Sequence, residues 1–163
     1  MEVCTDMTFF TDLLANELFI SAAIAWFVAQ VLKTIIHAFL TKDLDFERMY
    51  GSGGMPSSHS ATVTALATSS YFLHGAGSSE FAISVILAII VMYDARGVRR
   101  ETGIQAKVLN DLIELLTNIN NNVKPIDEKL KEFVGHTPLQ VVAGSILGFG
   151  IACITHAFYQ HFF

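Results

Sequence analysis

From Phe133 to Phe163 the chain carries no Asp, Glu, Lys or Arg. So long an uncharged segment suits a bilayer span better than a soluble core helix. Three further apolar stretches precede it, roughly Leu18 to Leu40, Ser60 to Leu73 and Phe81 to Tyr93. The last two of these are shorter than the ~20 residues a lone spanning helix needs, so they rely on uncharged flanks or on neighbouring helices. A hydrophobic content of 52% and a mean hydropathy of +0.49 over 163 residues are high for a soluble domain. The expected architecture is a single all-α domain, a membrane helical bundle with about four spanning helices.

The basic residues orient such a bundle. Lys33, Lys42 and Arg48 lie at or beyond the end of the first span, and Arg96, Arg99, Arg100, Lys107, Lys124, Lys129 and Lys131 fall between the third and the fourth. If the spans alternate, all ten cations share one side, which the positive-inside rule makes cytoplasmic, with both termini outside. The net charge of −5 and the lack of an aromatic-and-basic stripe argue against a nucleic-acid partner. Cys4 and Cys153 form no disulfide framework and no metal-ligand spacing. The segment Met1–Asp6 lacks the basic start of a secretory signal, so the first helix is expected to be retained.

Between the first two spans stands Gly53-Gly54-Met55-Pro56-Ser57-Ser58-His59-Ser60, a glycine-led turn running straight into an apolar segment. Glycines permit a tight backbone and close approach to a ligand, and Pro suits the first turn of a helix. Ser57, Ser58 and the N–H groups of that turn could then hold an anion, with the helix dipole assisting. A helix cap leading into an ordinary core helix is the competing reading. The segment after it is rich in Ala, Ser and Thr, as in a helix packed among others in a membrane. Lys33 and His37 lie one turn apart near the end of the first span, where Lys33 is either an anion ligand or an ammonium snorkelling to the interface. Ile104, Val108, Leu112, Leu115 and Ile119 describe an amphipathic helix, and a short charged helix at about Ile126 to Phe133 would complete a cytoplasmic hairpin over about 101–134.

A second histidine turn, Gly135-His136-Thr137-Pro138, opens the last span from the same side as His59. Two imidazoles at one anion site, ringed by Lys33, Arg48, Arg99 and Arg100, suit phosphoryl transfer. One attacks phosphorus while the other protonates the leaving oxygen. Cations and N–H groups steady the charge on the equatorial oxygens, with no metal or other cofactor required.

The segment Gly54-Met55-Pro56-Ser57-Ser58-His59-Ser60-Ala61 resembles the Pro-Ser-Gly-His motif of the type 2 phosphatidic acid phosphatase and vanadium haloperoxidase superfamily. Gly135-His136-Thr137-Pro138-Leu139-Gln140-Val141-Val142-Ala143-Gly144 is similar to its histidine motif, and Tyr93 to Gly103 with Gln105 looks like the divergent branch of that superfamily, typified by small bacterial membrane proteins. The resemblance covers about residues 13 to 158. It implies that His136 is the nucleophile and His59 the general acid, with Ser57, Ser58 and Lys33 holding phosphate oxygens. The arginine that the family places six residues before the nucleophile is replaced by Leu130. Insertion of the hairpin between the two would leave Arg96, Arg99 or Arg100 to supply that guanidinium, Arg99 and Arg100 being favoured. Arg48 is the nearest arginine to the family's first motif, although Met49 follows it instead of Pro. Where the family carries an aspartate four residues after the nucleophile, this chain has Gln140.

Two functions follow as expectations. One is a metal-independent phosphatase that hydrolyses an amphiphilic substrate, a lipid phosphate or isoprenoid diphosphate, through a phosphohistidine. The other is a membrane protein that binds an anion or a lipid, retaining the cradle without turnover. The small-residue helices also leave room for a homodimer completing the membrane domain.

Overall fold

The structure, a computed structural model, describes residues 6–42, 54–119, 130 and 136–162. They form six helices: α1 (Asp6–Ala15), α2 (Glu17–Thr41), α3 (Ser58–His74), α4 (Ser79–Arg96), α5 (Val98–Ile119) and α6 (Pro138–Phe162). The helix α1 is additional to the first expected span. Asn16 separates it from α2, with extended backbone (φ −79°, ψ 102°) and Oδ1 accepting the Phe19 N–H at 3.1 Å. Asn is among the best residues at such a cap, because its side chain satisfies an N–H that the helix start leaves over.

Three segments are long and apolar enough to cross a membrane: α2, the run from Ser79 to Thr117 that contains α4, and α6. The expected fourth, α3, has 17 residues and is not among them. It is instead the central helix, packed against α2, α4 and α6. A helix enclosed by others need not match the apolar length of one that faces lipid.

Small residues make that enclosure. The core joins Ala25 and Ala29 of α2, Ala61 and Ala65 of α3, and Ile151 and Ala152 of α6, with Val28 and Leu147 against it. Large apolar side chains such as Phe27, Ile83, Ile90, Ile146 and Ile154 are exposed instead. Such an inversion of the soluble pattern is expected in a bilayer, where burying large side chains brings no hydrophobic gain and close backbone packing does.

The closest approach is between α3 and α6. A Cβ on Gly144 would collide with the Ser57 carbonyl oxygen, and one on Gly148 with that of Ala61. Matching 144 to 57 and 148 to 61 makes the two helices parallel, so both begin at the same end of the bundle. The opposite end is closed by polar contacts. Glu17, 6% exposed, meets His156 Nδ1 at 2.9 Å, and the Tyr159 hydroxyl donates to the Leu14 carbonyl at 3.0 Å.

The amphipathic helix foreseen from Ile104 is α5, which starts earlier, at Val98, and leaves Val108, Leu112, Leu115 and Ile119 exposed. Asn110 makes two hydrogen bonds with the backbone of Leu130, at 3.0 and 3.1 Å. The remainder of the expected second arm, around 126–133, lies outside the described residues.

Gly148 and Gly150, two residues apart, face opposite sides of α6, one against α3 and one in open space. Gly148→Ala should destabilise by about 1–3 kcal/mol, the usual range for overpacking. Gly150, whose Cβ would meet nothing within 4 Å, should tolerate Ala or gain up to about 1 kcal/mol from helix propensity. Thermal midpoints of the two variants in one detergent check the contrast, and equal midpoints would contradict this packing.

Candidate functional site

Four chain segments converge where α3 and α6 begin. The turn before α3 is tied to α6 by the Ser57 N–H, which donates to the Gln140 carbonyl at 3.1 Å. The turn before α6 is tied to α4 by the His136 N–H, which donates to the Ala95 carbonyl at 3.1 Å. Being antiparallel to α3, α2 brings its late residues Gln30 and Lys33 to the same end. The two histidine turns thus lie together, as the alternation of spans predicts. The His59 and His136 ring centroids are 6.0 Å apart, inclined at 63°. This is within the ~8 Å at which two imidazoles can each reach one phosphate by hydrogen bonding.

The first turn of α6 orients His136. Thr137-Pro138-Leu139-Gln140 forms a reciprocal cap. The Thr137 hydroxyl accepts the Gln140 N–H at 3.4 Å, and Gln140 Oε1 accepts the Thr137 N–H at 3.0 Å. Pro138 stands at the first helical position, where its missing N–H costs nothing. The same Gln140 Oε1 lies 3.1 Å from His136 Nδ1. A backbone N–H can only donate, so the atom that meets Thr137 N is the amide oxygen. The His136 nitrogen facing that oxygen must then carry the hydrogen. In the neutral ring this places the lone pair on Nε2, the nitrogen a nucleophile would use. His136 is 4% exposed, whereas His59 is half-buried.

Around the pair, Lys33 is 4% exposed, too buried for a side chain reaching out to the membrane surface. Its stem runs over Gly54, where a Cβ would come 2.9 Å from Lys33 Cγ and where φ is +91°; glycine answers both demands. Ser57 is the N-cap of α3, fully buried, its Oγ accepting the Ser60 N–H at 3.3 Å and the Ser60 hydroxyl at 3.0 Å. Pro56 therefore sits before the cap, not inside the helix as the sequence reading places it. With Ala61 N–H to the Ser57 carbonyl as an early intrahelical bond (3.1 Å), the N–H groups of Ser58 and His59 belong to the helix start that favours anions. Ser58 is buried beside them.

The other candidate ligands are placed less fully. Arg48 lies outside the described residues. Arg99 and Arg100 are placed by backbone alone, in the first turn of α5 at this end of the bundle; their side chains lie outside the described part. Arg96 is exposed at the end of α4. Among the described residues no three of His, Cys, Asp and Glu are grouped as around a metal ion.

Gln30 is a residue the sequence reading missed. It is 6% exposed, and its Oε1 is buried with no hydrogen-bond partner among the described residues. A buried amide oxygen is a demand for a donor. The signal was a polar residue inside the apolar run from Phe19 to Leu32, one turn before Lys33 on the same helix face.

Comparison with known proteins places the arrangement. An uncharacterized membrane protein of Bacillus subtilis (strain 168), YuiD, is 40% identical over 157 residues, covering 91% of this chain and 99% of the relative. No solved structure matches. The sequence pattern of the Divergent PAP2 family matches residues 14–151, from the last turns of α1 to the middle of α6, so that both histidine turns, Lys33 and Gln140 fall within it. The chain is a member of the Divergent PAP2 family.

Proposed function

We propose that the protein is a membrane-embedded phosphatase that cleaves a lipid phosphate or isoprenoid diphosphate through a phosphohistidine on His136. One observation carries this reading: two imidazoles 6.0 Å apart, one with its Nδ1 against an amide oxygen. Nε2 of His136 attacks phosphorus, and the bond from phosphorus to the leaving oxygen breaks as His59 protonates that oxygen. Water, deprotonated by His59, then attacks the phosphohistidine; the nitrogen–phosphorus bond breaks, and phosphate leaves. The Lys33 ammonium and the N–H groups at the start of α3 balance the charge on the equatorial oxygens. Arg99, Arg100 and Arg48 are the candidates we assign to the same shell, standing in for the arginines whose family positions this chain does not keep. The cations at this end of the bundle support a cytoplasmic site with both termini outside, and a site at the head of bilayer-spanning helices favours an amphiphilic substrate.

Gln140 sets the expected rate. Its carbonyl fixes the tautomer as a carboxylate would but adds no negative charge, so the imidazolium that forms during attack is less stabilised. The same observation favours the second reading, a protein that binds a phosphorylated lipid without turnover.

Detergent-solubilised protein should release phosphate from phosphatidate or farnesyl diphosphate in the presence of a metal chelator. His59→Ala should slow release by ~10²–10⁴, the usual worth of a positioned general acid, and His136→Ala should abolish it. Absence of release from every lipid phosphate, or release unchanged in His136→Ala, would overturn the proposal. Gln140→Asp separates the two readings. It raises kcat if His136 attacks phosphorus, and leaves binding without hydrolysis if the protein only holds its ligand.

A further inference from the structure

Where α2, α3 and α6 meet, each contributes a ridge of residues four apart. Along α2 the ridge is Glu17, Ser21, Ala25, Ala29 and Lys33, all buried. Along α3 it is Ser57, Ala61, Ala65 and Ser69, all fully buried. Along α6 it is Gly144, Gly148, Ala152 and His156. Gly144 and Gly148 pack on Ser57 and Ala61, and the alanines of the three ridges share one core, so the ridges form a single seam.

Beyond Ala25, Ala65 and Ala152 the next turn of each ridge is polar: Ser21, Ser69 and His156. Two contacts hold the three helices in register there. Glu17, one turn from Ser21, meets His156 Nδ1 at 2.9 Å, and Phe72, one turn from Ser69, stacks on the His156 ring at 4.7 Å.

The groups of this layer are not satisfied by the fold. Ser21 Oγ and Ser69 Oγ are fully buried with no hydrogen-bond partner among the described residues. A serine or threonine inside a helix can turn its hydroxyl back to the carbonyl four residues earlier, as Thr155, next to His156, does at 2.8 Å. These two serines do not.

The layer also holds a charge. Glu17 is the first residue of α2, where the helix start favours a carboxylate. His156 Nε2 faces the Gln160 amide nitrogen at 3.1 Å. That nitrogen only donates, so Nε2 accepts, and the one ring hydrogen is on Nδ1, directed at Glu17. The imidazole is then neutral and the pair carries one net negative charge, with Glu17 only 6% exposed. Lys33, on the same ridge, is sixteen residues away, about 24 Å along the axis. A buried charge is costly unless it is paired.

We infer that this layer binds one sodium ion, held by a Glu17 carboxylate oxygen and the hydroxyl oxygens of Ser21 and Ser69. The ion joins α2 to α3 at the end of the bundle away from the histidine pair, and the inference does not depend on the phosphatase reading. Hard cations take oxygen ligands, and a single positive charge offsets the one the pair carries. A transition metal would find too few of its donors, since among the described residues no three of His, Cys, Asp and Glu are grouped. Water would leave the charge unbalanced, and neither serine oxygen has room beside it for a water molecule. A bare sodium ion is smaller than water, and smaller than potassium.

The test uses the full chain, purified in detergent and choline chloride. Radiolabelled sodium is titrated by scintillation proximity, and the thermal midpoint is followed as NaCl or KCl replaces choline chloride at constant ionic strength and pH. Expected are saturable binding of one ion per chain, competed by NaCl at lower concentration than KCl, and a midpoint rise of about 3–5 °C at ten times the dissociation constant. Ser69→Ala, at a helical position that alanine suits, should weaken binding ~10-fold, and Glu17→Gln should abolish it. Ser70→Ala, one residue round the helix from the seam, should leave it unchanged. Midpoints that follow ionic strength alone, with no saturable sodium binding, would overturn the inference. So would binding that survives both Glu17→Gln and Ser69→Ala, and equal competition by KCl would overturn the assignment to sodium.

Discussion

The contact between α3 and α6, where two glycines meet two carbonyl oxygens, is the constraint on which the other features depend. Gly144 and Gly148 let the backbones touch, and the two helices run parallel, the start of α3 lying against the second turn of α6. The turns that precede them are then neighbours. A larger residue at either position would separate the Ser57 carbonyl from α6 and with it the bond from Ser57 N–H to the Gln140 carbonyl. The alanines of α2 and α3 extend the same economy of volume across the bundle. Site geometry therefore follows from helix packing, with no side-chain bridge needed to bring His59 and His136 together.

The buried face of α2 is polar toward both ends and apolar between them. Toward the site, the buried face of α2 carries Gln30 and Lys33; toward the other end it carries Glu17 and Ser21; Ala25 and Ala29 separate them. The far end is clamped by Glu17 and His156, and by the Tyr159 hydroxyl of α6, which donates to Leu14 in the last turn of α1. The site end is held by backbone bonds from the histidine turns to α4 and α6. In a membrane such polar contacts are among the few specific forces between helices, each modest, and they orient what the small residues bring close.

Much of this was legible in sequence because it depends on period, parity and charge. Alternating spans put both histidine turns at one end, and one-sided cations marked that end. What escaped depended on atoms that serve two purposes. Gln140 looked like the loss of an activating aspartate, but its amide completes a reciprocal cap with Thr137 while accepting from His136. Ser57 also caps α3, its oxygen accepting from Ser60 while its own hydroxyl hydrogen stays available to donate. Whether Lys33 reaches the membrane surface is not written in its spacing, and its burial against Gly54 depends on a turn distant in sequence. The break at Asn16 hid inside a continuous apolar pattern, since a single capping residue scarcely disturbs hydropathy. The central position of α3 was legible in its Ala, Ser and Thr content, though not in its length, because enclosure is a property of its neighbours.

The central claim is that His136 Nε2, with its ring held by Gln140, is the atom that bonds to phosphorus. The most direct measurement is mass-spectrometric mapping of the phosphoenzyme, formed with a lipid phosphate and quenched in alkali, where phosphohistidine survives. A phosphoryl group on His136, accumulating further in His59→Ala, is the predicted result. A substrate that is hydrolysed with no phosphorylated His136 at any time point would contradict it.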